Sequence, residues 1–111
     1  MQTNLKMIKG DTLAFAIELE FDESPQDLQT AFFSVKESVD DSDPLIQKSL
    51  SNGISKIKTD GNKIYYRVRI APEDTASIDV REYYYDLEIG INNDVFTVLN
   101  GILKVEHEIT I

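Results

Sequence analysis

The sequence predicts an all-β fold, an antiparallel β-sandwich of about seven to eight strands with one short helical turn. Several segments alternate apolar and polar residues with the period of two that a half-buried strand shows. Turn-forming residues separate these segments at intervals of roughly 8–12 residues, and no long amphipathic helix interrupts them. The 111 residues fit a single domain, which we expect to span residues 1–111.

The predicted strands are runs of alternating residues that end at turn or loop signals. The clearest early run covers residues 13–21 and ends at the loop around Pro25. In the following run Phe32 falls in the outward phase, opposite its apolar neighbours. The runs at 45–50 and 54–58 are short, and their phase is ambiguous. The predicted elements are an extended arm at residues 3–9 and strands at residues 13–21, 30–37, 45–50, 54–58, 64–70, 83–91, 95–99 and 103–109.

The stretch from Tyr83 to Ile109 predicts three consecutive strands of an antiparallel meander. Asn92 and Asn93 tolerate the left-handed backbone of a tight turn after the first strand. Asn100 and Gly101 give a second turn signal. In the last strand the core-facing phase contains Leu103, Val105, His107 and Ile109.

Two further local signals lie between the strands. The sequence DGN at residues 60–62 predicts a tight hairpin turn. The sequence APEDTASI at residues 71–78 predicts one or two helical turns, because Pro72 suits the first helical position and the acids after it favour the positive end of the helix dipole. We expect Ile78 to reach the core.

The composition of the chain disfavours several classes of partner and binding site. The 20 acidic and 11 basic residues give a net charge of −9, which disfavours nucleic acid and anionic membrane surfaces. The absence of cysteine excludes disulfides and thiolate metal sites. No secretory signal and no apolar run long enough to span a membrane occur, so we expect a soluble chain made in the cytoplasm.

The sequence predicts no catalytic, cofactor or metal site, and therefore no enzyme. His107 is the only histidine, and it lacks the partnered nucleophile and orienting group of a triad. One histidine without cysteine does not anchor zinc. Asp40, Asp41 and Asp43 carry oxygen ligands for calcium but lack the EF-hand spacing, and a solvated loop is the favoured interpretation.

The residues that we expect to contact another protein are tyrosine, arginine and phenylalanine side chains in the outward phase of strands. Tyrosine and arginine are enriched in protein interfaces. An aromatic platform for sugars is the alternative, although such sites normally include tryptophan, which this chain lacks. Other small-molecule ligands are not expected. The interface candidates are Tyr65, Arg67, Arg69, Tyr84, Phe32 and Phe96.

The segment EDTA at residues 73–76, followed by Tyr83 and Tyr85, resembles the E–F corner of an immunoglobulin-like domain. In that arrangement a tyrosine hydroxyl at the start of the later strand bonds back to the backbone of the corner. Tyr83 is the first candidate for this role and Tyr85 the second. Since the cysteines and tryptophan of antibody domains are missing, the resemblance concerns architecture alone.

A broader resemblance covers nearly the whole chain and rests on the order of KGDTLAF, DPLIQKSLSNGI, APEDTASI, YYYDLEIG and NGILKVE. This order is similar to small tailed-phage and prophage structural proteins like the N-terminal domain of the phage baseplate upper protein. The resemblance implies an immunoglobulin-like β-sandwich without catalysis. It would pack in a virion tail, baseplate or fibre attachment region, against other virion proteins or copies of itself, after assembly in the bacterial cytoplasm. The sequence shows no fibre extension, so we expect no direct role in host binding.

Overall fold

The computed structural model describes residues 3–107, which contain eight strands and one helical turn. The all-β class is therefore confirmed. Pro72 occupies the first position of the short helix, α1 (Pro72–Thr75), as predicted. The strands are β1 (Leu5–Ile8), β2 (Leu13–Glu20), β3 (Thr30–Lys36), β4 (Ile46–Leu50), β5 (Gly53–Asp60), β6 (Lys63–Ile70), β7 (Glu82–Ile91) and β8 (Asp94–Glu106).

All eight strands belong to one mixed sheet that curves until it is nearly barrel-shaped. The strand order is β1-β8-β7-β3-β4-β5-β6-β2, so β1 and β2 are the two edges. Strands that are distant in this order meet across the core. The rings of Phe15 on β2 and Phe33 on β3 lie edge to face, with centroids 5.8 Å apart.

The core consists of alternate side chains from the central strands. Their burial follows the period of two along each strand, and each large apolar side chain removed from water contributes about 1.5–3 kcal/mol. Tyr66 lies in the inward phase of β6 and is buried, whereas Tyr65 lies in the outward phase. The buried hydroxyl of Tyr66 accepts a hydrogen bond from the Leu28 amide at 3.1 Å. The buried apolar side chains of β6 and β7 are Ile64, Tyr66, Val68, Ile70, Tyr83, Tyr85, Leu87 and Ile89.

The prediction of a purely antiparallel fold is wrong for two strand pairs. β1 runs parallel to β8, with Leu5 opposite Leu103. β4 and β5 share two parallel pairs where the chain doubles back tightly at Ser51, which has a positive φ of 65°. The first pair arises because the N-terminal arm lies against β8 instead of its sequence neighbour β2, and local alternation carries no information about that choice.

The predicted turn at Asn100 and Gly101 is also wrong, because β8 continues through both residues as one strand. A Cβ atom on Gly101 would lie 2.1 Å from the carbonyl oxygen of Thr3, so the glycine serves the close approach of the N-terminal arm. The amide of Thr3 in turn donates to the Asn100 carbonyl at 2.8 Å. Beyond this point Leu103 is buried as expected, whereas His107 follows the strand end and is exposed. Ile109 lies outside the described residues.

Two hairpin predictions are confirmed. Asn92 and Asn93 connect β7 to β8 with positive φ angles of 53° and 67°. Gly61, with φ of 62°, begins the two-residue connection between β5 and β6. Both loops use residues that adopt the left-handed conformation at low cost, which is why short-range sequence patterns identified them.

The corner between β6 and β7 is built on α1. A side-chain oxygen of Asp74 accepts a 2.7 Å hydrogen bond from the Ala71 amide and also lies 2.8 Å from the ammonium of Lys48 on β4. Thr75 is fully buried, and its hydroxyl accepts a hydrogen bond from the Gly10 amide at 2.9 Å. The corner therefore connects to β4 and to the turn between β1 and β2. Ile78 packs against the core, as expected.

Candidate interaction surfaces

The outward side chains of β6 and β2 form one surface, which we call the arginine face. Antiparallel pairing places Lys63 beside Glu20, Tyr65 beside Glu18, Arg67 beside Ala16 and Arg69 beside Ala14. One end of this surface is therefore mixed in charge, and the other end carries two arginines next to small side chains. The end with the two arginines is therefore basic, on a chain whose net charge is −9.

Tyr65 is engaged within the arginine face. Its hydroxyl donates to Oε1 of Glu18 at 2.8 Å, and the Lys63 ammonium lies 3.4 Å from the same oxygen. The ammonium of Lys58 sits 5.0 Å above the Tyr65 ring. The hydrogen bond from Tyr65 lowers the pKa of Glu18, and the same bond raises the pKa of Tyr65. Tyr65 is thus less available to a partner than its outward phase suggested.

Arg67 and Arg69 are exposed and, within residues 3–107, make no ion pair within 4 Å. Their neighbours Ala16 and Ala14 offer neither charge nor bulk. Arginine side chains with no internal partner and a planar set of donors suit a carboxylate on another molecule. The structure therefore keeps both arginines as candidates for an interface.

The outward side chains of β3 and β7 form a second surface, the tyrosine face, which consists of Phe32, Ser34, Lys36, Tyr84, Asp86 and Glu88. Tyr84 is 43% exposed, and Phe32 is 36% exposed. Two adjoining hollows of about 520 and 400 Å³ lie along this surface and share Ser34, Lys36 and Asp86. Tyr84 lines the first hollow and Phe32 the second, so the two candidates belong to one surface.

Phe96 lies apart from the tyrosine face. It pairs with Ile89, whose side chain points into the core, yet Phe96 is 49% exposed. The pairing of β8 with β7 shifts by one residue at Val98, opposite the step from Leu87 to Glu88, and this bulge changes the phase of the strand. Phe96 is therefore exposed at the open end of the core, not on the face that carries Tyr84.

The two corner tyrosines make different hydrogen bonds. Tyr83 donates from its hydroxyl to the Asp79 carbonyl at 2.6 Å, and burial raises its pKa. Tyr85 donates to the Thr3 carbonyl instead, and its ring packs on Phe33 with centroids 5.4 Å apart. Burial raises the pKa of Tyr85 as well. Tyr83 thus spans the corner, whereas Tyr85 holds the N-terminal arm.

The remaining titratable groups do not converge on a site. Within residues 3–107 no group of three or more histidine, aspartate or glutamate side chains is arranged to hold a metal ion. The loop with Asp40 and Asp41 is stabilised by its own contacts, since a carboxylate oxygen of Asp41 accepts from the Ser38 amide at 3.1 Å. His107 is exposed.

The sequence did not identify the residues that lie next to the candidate interface side chains. Ala14 and Ala16 leave room beside the arginines, and their small size at alternate positions was the available signal. Val39 and Ile102 line the larger hollow of the tyrosine face, and they come from the loop after β3 and from the neighbouring strand β8. The register of β7 with β8 places Ile102 opposite Tyr84, and the loop after β3 brings Val39 to the same hollow.

No helix within residues 3–107 is long and apolar enough to cross a membrane. No family model matches the chain, and no curated protein matches its sequence significantly.

Proposed function

We propose that this chain is an immunoglobulin-like β-sandwich that serves as a non-enzymatic structural module of a phage or prophage virion. It works in the tail, the baseplate or the fibre attachment region, by packing against other virion proteins or against copies of itself. Its location would be the virion, after assembly in the cytoplasm of a bacterial host. The virion role draws on the ordered motifs that resemble tailed-phage structural proteins.

The strand order supports the immunoglobulin-like part of the proposal. The strands from β2 to β8 can be labelled B, C, C′, D, E, F and G in chain order. The strand order of the sheet then reads G-F-C-C′ in one part and D-E-B in the other. Those are the neighbours that immunoglobulin-like sandwiches have within their two sheets. The hydrogen bond from Tyr83 to the Asp79 carbonyl then falls at the E–F corner, where such domains have a bonded tyrosine.

The observation that carries the packing role is the exposure of arginine and tyrosine side chains without internal partners. Arg67, Arg69 and Tyr84 are exposed. Within residues 3–107, the two guanidinium groups and the Tyr84 hydroxyl form no ion pair or hydrogen bond with another side chain. These residue types dominate the energetics of protein interfaces, because they combine large contact area with directional donors.

Mass spectrometry of purified particles tests the virion role. Particles would be induced from a bacterial strain that carries this reading frame and banded on a density gradient. We expect the chain to co-purify with tail proteins in a fixed ratio to them, as a structural component does. Recovery of the chain only in the soluble lysate, with none in intact particles, would overturn the proposal.

A second candidate function is recognition of a neutral glycan on the tyrosine face. The two adjoining hollows combine the aromatic rings of Tyr84 and Phe32 with the polar side chains of Ser34, Gln47 and Asp86. Sugars bind to such combinations, because their apolar ring faces stack on aromatic groups while their hydroxyls bond to polar ones.

A glycan array followed by isothermal titration calorimetry separates the two candidates. If the hollow binds sugars, Tyr84→Ala should remove binding while Tyr65→Phe, on the arginine face, should leave it intact. Absence of binding to every glycan tested, together with presence in particles, favours the structural module.

A further inference from the structure

The second edge of the sheet is a regular strand that, within residues 3–107, has a neighbour on one side only. In this range β2 pairs with β6 alone, over eight residues in continuous register, and it contains no lysine, proline or bulge. The other edge strand, β1, has only four residues. Proteins usually protect edge strands with such residues or with irregular backbone, because an unpaired edge is a template for another strand. The charged side chains of β2 are Glu18 and Glu20 near its end, so the first half of the strand lacks this protection.

Apolar surface remains open next to this edge. The inward side chains of β2 are only half-buried, whereas those of its neighbour β6 are fully buried. A groove of about 380 Å³ lies between β2 and the strands across the core. Its lining includes the apolar side chains of Leu5, Phe15, Ile17, Leu19, Val98 and Leu99. An added strand would bury part of this surface.

The direction of the backbone groups on β2 follows from one hydrogen bond. The Phe21 amide donates to the Asn62 carbonyl at 2.9 Å, on the side of β6. Because the direction alternates along an antiparallel strand, the odd-numbered residues bond to β6. Ala14, Ala16, Glu18 and Glu20 therefore present their amides and carbonyls to the free edge.

The charges beside this edge complement those of a second copy whose β2 runs antiparallel to it. Arg69 and Arg67 lie beside Ala14 and Ala16 near the start of β2, and carboxylates occupy positions 18 and 20 near its end. Glu20 makes no ion pair within 4 Å among residues 3–107. Both internal contacts of Glu18 use Oε1, so Oε2 remains available.

We propose that β2 pairs with β2 of a second copy, antiparallel and centred on Ile17. Ala14 then lies opposite Glu20 of the second copy, and Ala16 opposite Glu18 of the second copy. Each arginine sits two strand spacings, about 9–10 Å at the backbone, from a carboxylate and reaches it over the small alanine between them. This dimer names a second copy of the chain as one packing partner, and it rests on the packing role proposed above.

Neighbouring registers fit less well. A dimer centred on Glu18 sets this carboxylate opposite its own copy, and one centred on Leu19 sets Glu18 opposite Glu20 of the second copy. Like charges directly opposite each other destabilise a strand pair. The register centred on Ile17 places both arginines beside carboxylates of β2 and sets no two carboxylates directly opposite each other.

Sedimentation velocity across protein concentration tests the pairing. We expect the full chain to show a concentration-dependent equilibrium between monomer and dimer. Ala16→Pro removes an amide that has no partner among residues 3–107 of its own copy, so the fold measured by circular dichroism should persist while the dimer is lost. Ala16→Ser keeps the amide and the small side chain, and it should dimerise like the unmodified chain.

A charge exchange tests the register independently of the proline variant. Arg69→Glu and Glu20→Arg should each raise the dimer dissociation constant about tenfold, since each change breaks two symmetric pairs and adds repulsion. The double variant should restore the dissociation constant to about that of the unmodified chain. If Ala16→Pro fails to fold, this exchange decides alone.

Two results would overturn the proposal. One is an unmodified chain that stays monomeric at every concentration. The other is a dimer that Ala16→Pro and both charge reversals leave unchanged, which would mean that another surface is used. Neither result bears on whether the chain is found in particles, so the failure of this dimer and the failure of the virion role can be distinguished.

Discussion

The hydroxyl of Tyr83 donates a 2.6 Å hydrogen bond to the carbonyl oxygen of Asp79, four residues earlier in the chain. The bond spans the segment between α1 and β7, and the ring itself is buried. It therefore fixes the direction in which the chain enters β7, the strand that carries Tyr84 outward.

Removal of this hydroxyl should destabilise the domain without unfolding it. Tyr83→Phe leaves the buried ring in place and deprives the Asp79 carbonyl of its donor, so we expect a loss of about 1 kcal/mol in the free energy of unfolding. Urea denaturation measures it. Tyr84→Phe is the matched control, because its hydroxyl is exposed, and it should change stability by less than about 0.5 kcal/mol. Equal losses in the two variants would contradict the role of Tyr83.

Gly101→Ala should detach β1 from β8. The new Cβ would lie 2.1 Å from the Thr3 carbonyl oxygen, and Gly101 has a positive φ of 154°. We expect a loss of about 1–3 kcal/mol and faster hydrogen exchange at the amides of residues 5–8. Gly61→Ala also places a side chain at positive φ, but it meets no atom within 4 Å. It should lower stability without altering exchange in β1, and unchanged exchange in both variants would refute this explanation.

The pair formed by Asp74 and Lys48 should matter more than an exposed pair. Asp74→Ala removes both the acceptor for the Ala71 amide and the partner of a largely buried ammonium, at a cost of about 2 kcal/mol. Asp74→Asn keeps an acceptor and should cost about half as much. Asp27→Ala breaks a pair of the same 2.8 Å length that is exposed, so its loss should stay below about 0.5 kcal/mol. Thermal denaturation compares the three, and similar losses for Asp74→Ala and Asp27→Ala would contradict the expectation.

The contact of Tyr65 with Glu18 predicts that the stability of the fold depends on pH. Because the hydrogen bond lowers the pKa of Glu18 in the folded state, its contribution to stability is present above the ordinary glutamate pKa. That contribution is lost as the pH falls through the lowered value. Carbon-13 NMR titration of the Glu18 carboxyl should show its pKa rising toward the ordinary value in Tyr65→Phe. An unchanged pKa in this variant would show that the hydrogen bond is not its main cause.

Sequence patterns predicted the parts of the fold that depend on neighbouring residues. Alternation located β6 and β7, and the residues at 60–62 and Asn92–Asn93 marked their hairpins correctly. Gly101 misled the prediction because the need for glycine comes from Thr3, which is adjacent in space but far away in sequence. The parallel place of β1 beside β8 was unpredictable for the same reason, since alternation reports a buried face and never the neighbouring strand.

The sequence identified residue types that suit an interface, but it did not show how those residues are arranged on the surface. Tyr65 was identified from its outward phase, yet its engagement with Glu18 depends on a register between strands 47 residues apart. The shift at Val98 could not be read from the alternation around it, so the side occupied by Phe96 was unknown. Arg67 and Arg69 acquired their relation to the small residues of β2 only through the pairing of β2 with β6.

Site-specific photo-cross-linking inside assembled particles tests the central claim, that the outward surfaces of this domain dock on other proteins. A benzophenone amino acid would replace Tyr84 on the tyrosine face, Arg67 on the arginine face, or Glu23 in an exposed loop as the control. The account predicts cross-links to a virion protein or to a second copy from position 84 or 67, and far fewer from position 23. Particles that contain the chain but yield no cross-link from either surface would contradict it.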